Sequence, residues 1–330
     1  MTLRDRFGRA HTTLRLSLTE RCNLRCVYCM PEHGVPLRPR AEQLTTDELV
    51  RLTRVLSGAG VRKVRLTGGE PLARKDAVEV VRRLGALGLR SLAMTTNGLL
   101  LPDRLAALAG AGLTDLTVSL DTLRPDRFQE TTRRPGLDTV LAGIRQALDL
   151  GYGAGGKSLK INVVALRGVN EDEAADFARW AAETPVEVRF IEVMPFDGNG
   201  WSRADLVPMA ETRAAIESAL GPLAACADAP DATARTFRQP GWAGRVGFVA
   251  SMTAPFCAGC SRLRVTADGA LKVCLFGAAE VSLRDALRAG ATDAEVLGQV
   301  QAALDGKHAA HAGMDALARS ENRPMISIGG

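Results

Sequence analysis

Six of the seven cysteines fall into two triads, Cys22, Cys26, Cys29 and Cys257, Cys260, Cys274. A cuboidal iron–sulfur cluster has four irons, and three thiolates leave one of them open to a substrate or cofactor. Sealed electron-transfer clusters and structural zinc sites are fully ligated, so a count of three points to catalysis at an open metal centre. Spacing alone also admits zinc. His33, four residues past Cys29, can complete a Cys3His set, although structural zinc usually pins small domains that lack a core of their own. The second triad would need Cys226, His308 or His311 as a fourth zinc ligand, and none of these is motif-spaced. Cys226, between two alanines, reads as inert.

Such centres need a scaffold that brings distant residues together. From Leu14 to about Val193 the chain alternates β-rich runs with amphipathic helical ones, which marks repeated βα units. Strands are expected at Leu14–Leu18, Val61–Thr67, Ser91–Thr96, Asp115–Leu120, Leu159–Val164 and Val186–Val193. Helices are expected at Thr46–Leu56, capped by Thr46, and at Asp138–Leu150, stopped by Gly151. Six units make an α/β fold, an incomplete (β/α)6 TIM-type barrel over residues 1–200, in which chemistry gathers at the C-terminal strand ends. A C-terminal module over 201–330 follows. It has a helix at Met209–Leu220, a mobile linker at Ala224–Ala234 and a strand at Arg245–Ser251. A hairpin, Arg262–Thr266 with Leu271–Leu275, turns at Asp268-Gly269, and two helices close the module.

Strand parity adds an electrostatic expectation. Lys63 and Arg65, Lys160 and Asn162, and Glu187 and Arg189 each oppose an apolar face. If the apolar faces meet the helices, cations point into the barrel, where an anionic ligand would satisfy them. The plainer alternative is that they reach water at strand ends. The net charge of +5 suits a bound anion better than a nucleic-acid surface. No apolar run approaches a membrane span, and Met1–Ser17 lacks a hydrophobic core. Arg4, Arg6, Arg9 and Arg15 faintly resemble a transit peptide, but Asp5 and an early strand argue against one. Cytoplasmic residence is the expectation, and clustered cysteines in odd number suit a reducing compartment.

The segment Cys22-Asn23-Leu24-Arg25-Cys26-Val27-Tyr28-Cys29 resembles the CxxxCxxC motif of the radical S-adenosylmethionine family. That resemblance implies a [4Fe-4S] cluster on the three cysteines, with S-adenosyl-L-methionine on the open iron and reductive release of a 5′-deoxyadenosyl radical. It further implies cofactor contacts at Tyr28, at Gly69 in Thr67-Gly68-Gly69-Glu70-Pro71, at Ser119 in Val118-Ser119-Leu120-Asp121, and at Met194. Taken singly, a Gly-Gly after a strand is an ordinary βα turn.

With the second triad the resemblance narrows to the GTP 3′,8-cyclase family, which carries out the first step of molybdenum cofactor biosynthesis. It then implies a second [4Fe-4S] cluster whose open iron takes the guanine of GTP, and no catalytic side chain beyond the cofactor radical. GTP contacts are implied at Arg262 and Arg264, at Arg15, Arg65, Thr95 and Lys160, and at Lys63 and Arg189. The product would be 3′,8-cyclo-7,8-dihydro-GTP. Implied partners are a reductant protein and the cyclic pyranopterin monophosphate synthase that takes the product, with a homodimer as the family's frequent state. The Gly329-Gly330 tail is implied to reach the active site. Gly153-Ala154-Gly155-Gly156 departs from the family as an insertion before the fifth strand, and Ala224–Ala234 departs in composition. Another radical enzyme with an auxiliary cluster is the alternative, although peptide-maturing ones generally carry more C-terminal cysteines.

Overall fold

Alternation of apolar and polar residues along short strands puts one apolar row under a layer of helices and a more polar row into a shared interior. A computed structural model describes residues 2–277 and 280–329. The strands are β1 (Thr13–Ser17), β2 (Lys63–Thr67), β3 (Ser91–Thr96), β4 (Asp115–Ser119), β5 (Ser158–Ala165), β6 (Glu187–Glu192), β7 (Ala224–Ala225), β8 (Arg235–Arg238), β9 (Arg245–Val249), β10 (Arg262–Val265), β11 (Ala270–Lys272) and β12 (Val281–Ser282). They form one sheet in the order β12-β11-β10-β1-β2-β3-β4-β5-β6-β9-β8-β7. All pairs from β10 through β6 to β9 are parallel, and the four outer pairs are antiparallel.

The six expected strands are present in an arc of βα units. The arc is wider than the expectation, because β9 joins β6 at one edge and β10 joins β1 at the other. Residues 201–330 therefore share the sheet with the barrel. Sequence adjacency could not show this, since each residue of β10 pairs with one 249 positions earlier, as Arg262 does with Thr13.

Helices α1 (Thr46–Gly58), α2 (Ala77–Gly85), α3 (Leu105–Gly110), α4 (Pro125–Thr132), α5 (Leu137–Asp149) and α6 (Ala174–Glu183) cover the outer face. Buried Leu49, Leu52, Leu56, Val80 and Leu84 of α1 and α2 meet the outward apolar rows of the strands. Helix α7 (Met209–Leu220) packs on α6, and α9 (Asp293–Asp305), preceded by the short α8 (Leu283–Arg288), packs on α1.

Three expectations are corrected. The α1 cap is Thr45, not Thr46: Thr45 accepts from the Glu48 amide while the Glu48 carboxylate accepts from the Thr45 amide. This reciprocal box serves two amides that a helix start otherwise leaves unpaired, and it frees Thr46 to bond Asp76. Ala224–Ala234 is not a mobile linker, because it holds β7 and is fixed by Cys226 N to Thr236 O at 2.9 Å and by Asp228 accepting from the Thr236 amide at 2.9 Å. Among the described residues the C-terminus has four helices rather than two: α8 and the longer α9, then the short α10 (Met314–Ala318) and α11 (Met325–Ile328). Among the described residues no helix is long and apolar enough to cross a membrane.

Candidate active site

The first triad occupies the loop that leaves β1. Its neighbours at the same rim are the ends of β2, β3, β4 and β6, which hold Gly68-Gly69, Asn97, Asp121 and Met194. The two glycines are there because the chain runs against backbone. A Cβ on Gly69 would lie 2.7 Å from the carbonyl oxygens of Glu20 and Arg21, and one on Gly68 would lie 2.6 Å from that of Thr19. Amides of Gly69 and Glu70 bond the Thr19 and Arg21 carbonyls at 2.8 and 2.7 Å, tying the β2 end to the cysteine loop. The buried Glu70 carboxylate accepts from the Leu72 amide, the Thr96 hydroxyl and the Asn97 amide at 2.9, 2.7 and 2.7 Å. Burial pushes its pKa up to about 7 despite these donors.

From outside, the end of α4 braces the loop. Amides of Arg25 and Val27 donate to the carbonyls of Thr132 and Thr131 at 3.0 and 2.9 Å. Arg133 sits in the left-handed region at φ 56°, and its guanidinium donates to the carbonyls of Arg25 and Met30 at 2.9 and 3.3 Å.

The thiols of this triad are free. Burial, and then the neighbouring Cys22 and Asp121, push Cys29 up to about 12, and burial drives Cys26 well upward too. Thiolates here require a cationic centre to hold them, which is the chemistry of an iron–sulfur site. Two N–H groups already face Cys22 sulfur, the Leu24 amide at 3.4 Å and Asn97 Nδ2 at 3.8 Å. Among the described residues no three His, Cys, Asp or Glu side chains converge tightly enough for one metal ion, and His33, Cys226, His308 and His311 complete neither triad.

Tyr28 and Met194 are brought together by a residue the sequence reading passed over. Asn199 Nδ2 donates to the Tyr28 carbonyl at 3.1 Å and to the Met194 carbonyl at 2.9 Å. The Tyr28 hydroxyl donates to Asp121 at 2.7 Å, and the second Asp121 oxygen accepts from the Val164 amide at 2.8 Å. Ser119 ends β4 in register with Asn162.

Below this rim the lumen is cationic. Register places Arg264, Arg15 and Arg65 side by side on β10, β1 and β2. Arg65 donates to the hydroxyls of Thr95 and Thr117 at 3.0 and 2.8 Å, so Thr95 and the unforeseen Thr117 orient it. Arg189 is held by Glu187, which also takes Arg245 at 2.5 Å. Lys63 lies near Asp115, and Lys160 is buried between β4 and β6.

Arg15 Nε, Arg264 Nη1, Asn162 Oδ1, Ser17 Oγ and Thr67 Oγ1 are buried polar atoms with no hydrogen-bond partner among the described residues. Burial, and then Arg264 and Arg65, depress the Arg15 pKa well below its ordinary range. A guanidinium keeps its proton regardless, so Arg15 is a buried cation beside other cations, with no compensating charge bonded to it among the described residues. Burial first, then Arg189, lowers Lys160 to about 7.

An anion raises that pKa, so the contribution of Lys160 to anion affinity is complete below pH ~7 and is lost as pH rises above it. Buffer-dependent calorimetry with inorganic triphosphate as a polyanion probe is expected to show proton uptake on binding at pH 8 and much less at pH 6.5. Uptake that persists in Lys160→Met would assign the proton elsewhere.

The second triad stands at the opposite end of the lumen. Cys260 immediately precedes β10, whose first residue, Arg262, is level with Thr13 at the start of β1. The first triad follows Ser17, four residue steps higher, or about 13 Å at ~3.3 Å per residue. Arg262 Nη2 lies 3.3 Å from Cys260 sulfur, and its guanidinium stacks on Phe256. Gly329, at φ 84°, closes the upper end: a Cβ there would lie 2.7 Å from Ser17 Cβ and Thr67 Oγ1. Gly330 lies outside the described residues.

The sequence matches the Radical SAM superfamily over residues 16–181 and the family described as Molybdenum Cofactor Synthesis C over 186–313. Among solved structures, Streptococcus suis SuiB bound to S-adenosylmethionine shares the fold at TM-score 0.62 and 15% identity, over 85% of this chain and 67% of that one. Fold and rim together define a radical S-adenosylmethionine protein, a class that implies S-adenosylmethionine and a [4Fe-4S] cluster.

The GTP 3′,8-cyclase of Arabidopsis thaliana, named as mitochondrial, is 51% identical over 99% of this chain and 83% of its own length. That of Rhodopirellula baltica is 44% identical over 100% and 92%. Human molybdenum cofactor biosynthesis protein 1 is 49% identical over 99% of this chain, which spans about half (51%) of that relative's length. The chain belongs to the GTP 3′,8-cyclase family.

Proposed function

We infer that this chain converts GTP to 3′,8-cyclo-7,8-dihydro-GTP, an early step toward the molybdenum cofactor. The observation that carries the reading is the lumen itself: a cationic, anion-hungry channel with one cysteine triad at each end. Cys22, Cys26 and Cys29 would hold the S-adenosylmethionine-binding cluster, and Cys257, Cys260 and Cys274 a second [4Fe-4S] cluster facing the guanine. When bound, the first cluster and S-adenosylmethionine supply the 5′-deoxyadenosyl radical that removes the C3′ hydrogen of GTP.

The chain's own share is binding, orientation and exclusion of quenchers. Arg15, Arg65, Arg264 and Lys160 would neutralise the triphosphate through charge-assisted hydrogen bonds, with Lys63, Arg189 and Arg262 beside them. Thr95 and Thr117 keep Arg65 aimed inward. Gly69, Ser119, Tyr28 and Met194 would receive S-adenosylmethionine, the last two set by Asn199. The Gly329 segment would narrow the upper entrance. A protein or small reductant must deliver the electrons, and the synthase that forms cyclic pyranopterin monophosphate would take the product. The free thiols suit a reducing compartment.

The decisive assay is 5′-deoxyadenosine release by anaerobically reconstituted protein with S-adenosylmethionine and dithionite, with and without GTP, followed by mass analysis of the nucleotide. Stimulation by GTP with a cyclised isomer of GTP as product is the expected result. Release indifferent to GTP would reject the substrate and keep the class.

A further inference from the structure

Lys307, just beyond α9, is a buried lysine that neither the barrel nor the cationic lumen requires. It is 4% exposed, and among the described residues no carboxylate pairs with it. A buried ammonium without an anion is expensive, so its surroundings should reveal the missing charge. They do: its Nζ lies 3.5 Å from Cys260 sulfur and donates to the carbonyl of Val273, the residue before Cys274. One ammonium thus bridges both halves of the second triad.

The support behind it is equally specific. Arg9 donates to the carbonyls of Cys257, Ala309 and His308 at 2.8, 2.6 and 2.8 Å, and to Asp5 at 2.6 Å. Asp5 also meets buried His11 at 3.1 Å, and His11 contacts the Arg262 carbonyl at 3.3 Å. The N-terminal segment therefore straps the Cys257 loop to the segment that carries Lys307. The first triad is set differently, with the Asp121 and Glu70 carboxylates nearby and no lysine on its sulfurs among the described residues.

We propose that Lys307 is the positioning and charge partner of the second triad, donating to Cys260 and raising the reduction potential of the cluster held there. This rests on the two-cluster reading above. A cluster on three thiolates gains one negative charge on reduction, and an adjacent N–H donor and positive charge favour the reduced form.

The test uses the full chain with Cys22, Cys26 and Cys29 changed to alanine, so that all cluster signals come from the second triad. About four irons per chain on this background are expected for three thiolates and one cubane, and none would reject the second cluster itself. With the cluster present, an EPR-monitored redox titration of Lys307→Met is expected to shift the one-electron equilibrium about tenfold toward the oxidised form, about 59 mV. Lys307→Arg should stay near the parent and Lys307→Gln should fall between. If Lys307→Met loses its iron, the comparison of Lys307→Gln with Lys307→Arg decides, a lower potential being expected for Gln than for Arg. An unmoved potential, or loss of the cluster in all three variants, overturns the inference and leaves Lys307 a structural residue.

Discussion

Cys22→Ala is expected to abolish 5′-deoxyadenosine release while leaving the fold and the second triad in place. Cys22 sulfur receives the Leu24 amide at 3.4 Å and the Asn97 side chain at 3.8 Å, long contacts that are not the loop's main ties to the fold. The brace comes from Thr131, Thr132 and Arg133 instead. Losing an outer partner of a metal site costs about 10–100-fold, and losing one of three ligands should exceed that, leaving under about 0.1% of the parent release. Chromatography of quenched anaerobic reactions measures it, with iron analysis beside it. Cys257→Ala separates the two ends of the lumen. It should still cleave S-adenosylmethionine, with GTP stimulation and cyclised product lost. Normal cyclisation by either variant would contradict the assignment of the triads.

Arg15→Met is expected to move binding and stability in opposite directions. Arg15 stands between Arg264 and Arg65 in register, with its Nε unpartnered and no carboxylate bonded to it among the described residues. Truncating one member of a buried, hydrogen-bonded charge pair costs about 2–5 kcal/mol, on the order of 30- to 4,000-fold in the Kd for GTP. Without GTP the same change removes like-charge repulsion and a desolvated cation while keeping most of the volume. The Tm of the ligand-free protein should therefore hold or rise. Calorimetric titration and a thermal melt read the two effects. A lower Tm with unchanged GTP affinity would make Arg15 a structural residue.

Part of the helical detail was readable but misassigned. Thr45-x-x-Glu48 is a capping box visible in the letters, and the more prominent Thr46 drew the cap to itself. The Ala224–Ala234 stretch lacked any period from which to infer β7, because a two-residue edge strand is specified by its partner β8 and not by its own residues. Asp121 stood inside the segment read for Ser119, yet its bond to Tyr28 crosses 93 positions and carries no local pattern.

The sequence by itself determined the six βα units, because burial on alternate faces and helical periodicity are written residue by residue. It also determined the inward row of cations and the two cysteine triads, whose spacing is local chemistry. Only the tertiary structure decided that β9 and β10 close onto the two edges of the barrel, which puts one triad at each end of a single lumen. It alone aligned Arg264 with Arg15 and Arg65, and brought Asn199, Arg9 and Lys307 to the ligands they support. Those relations join residues tens to hundreds of positions apart. They are fixed by strand register and by the need to pair buried charge, and neither leaves a trace at the single positions involved.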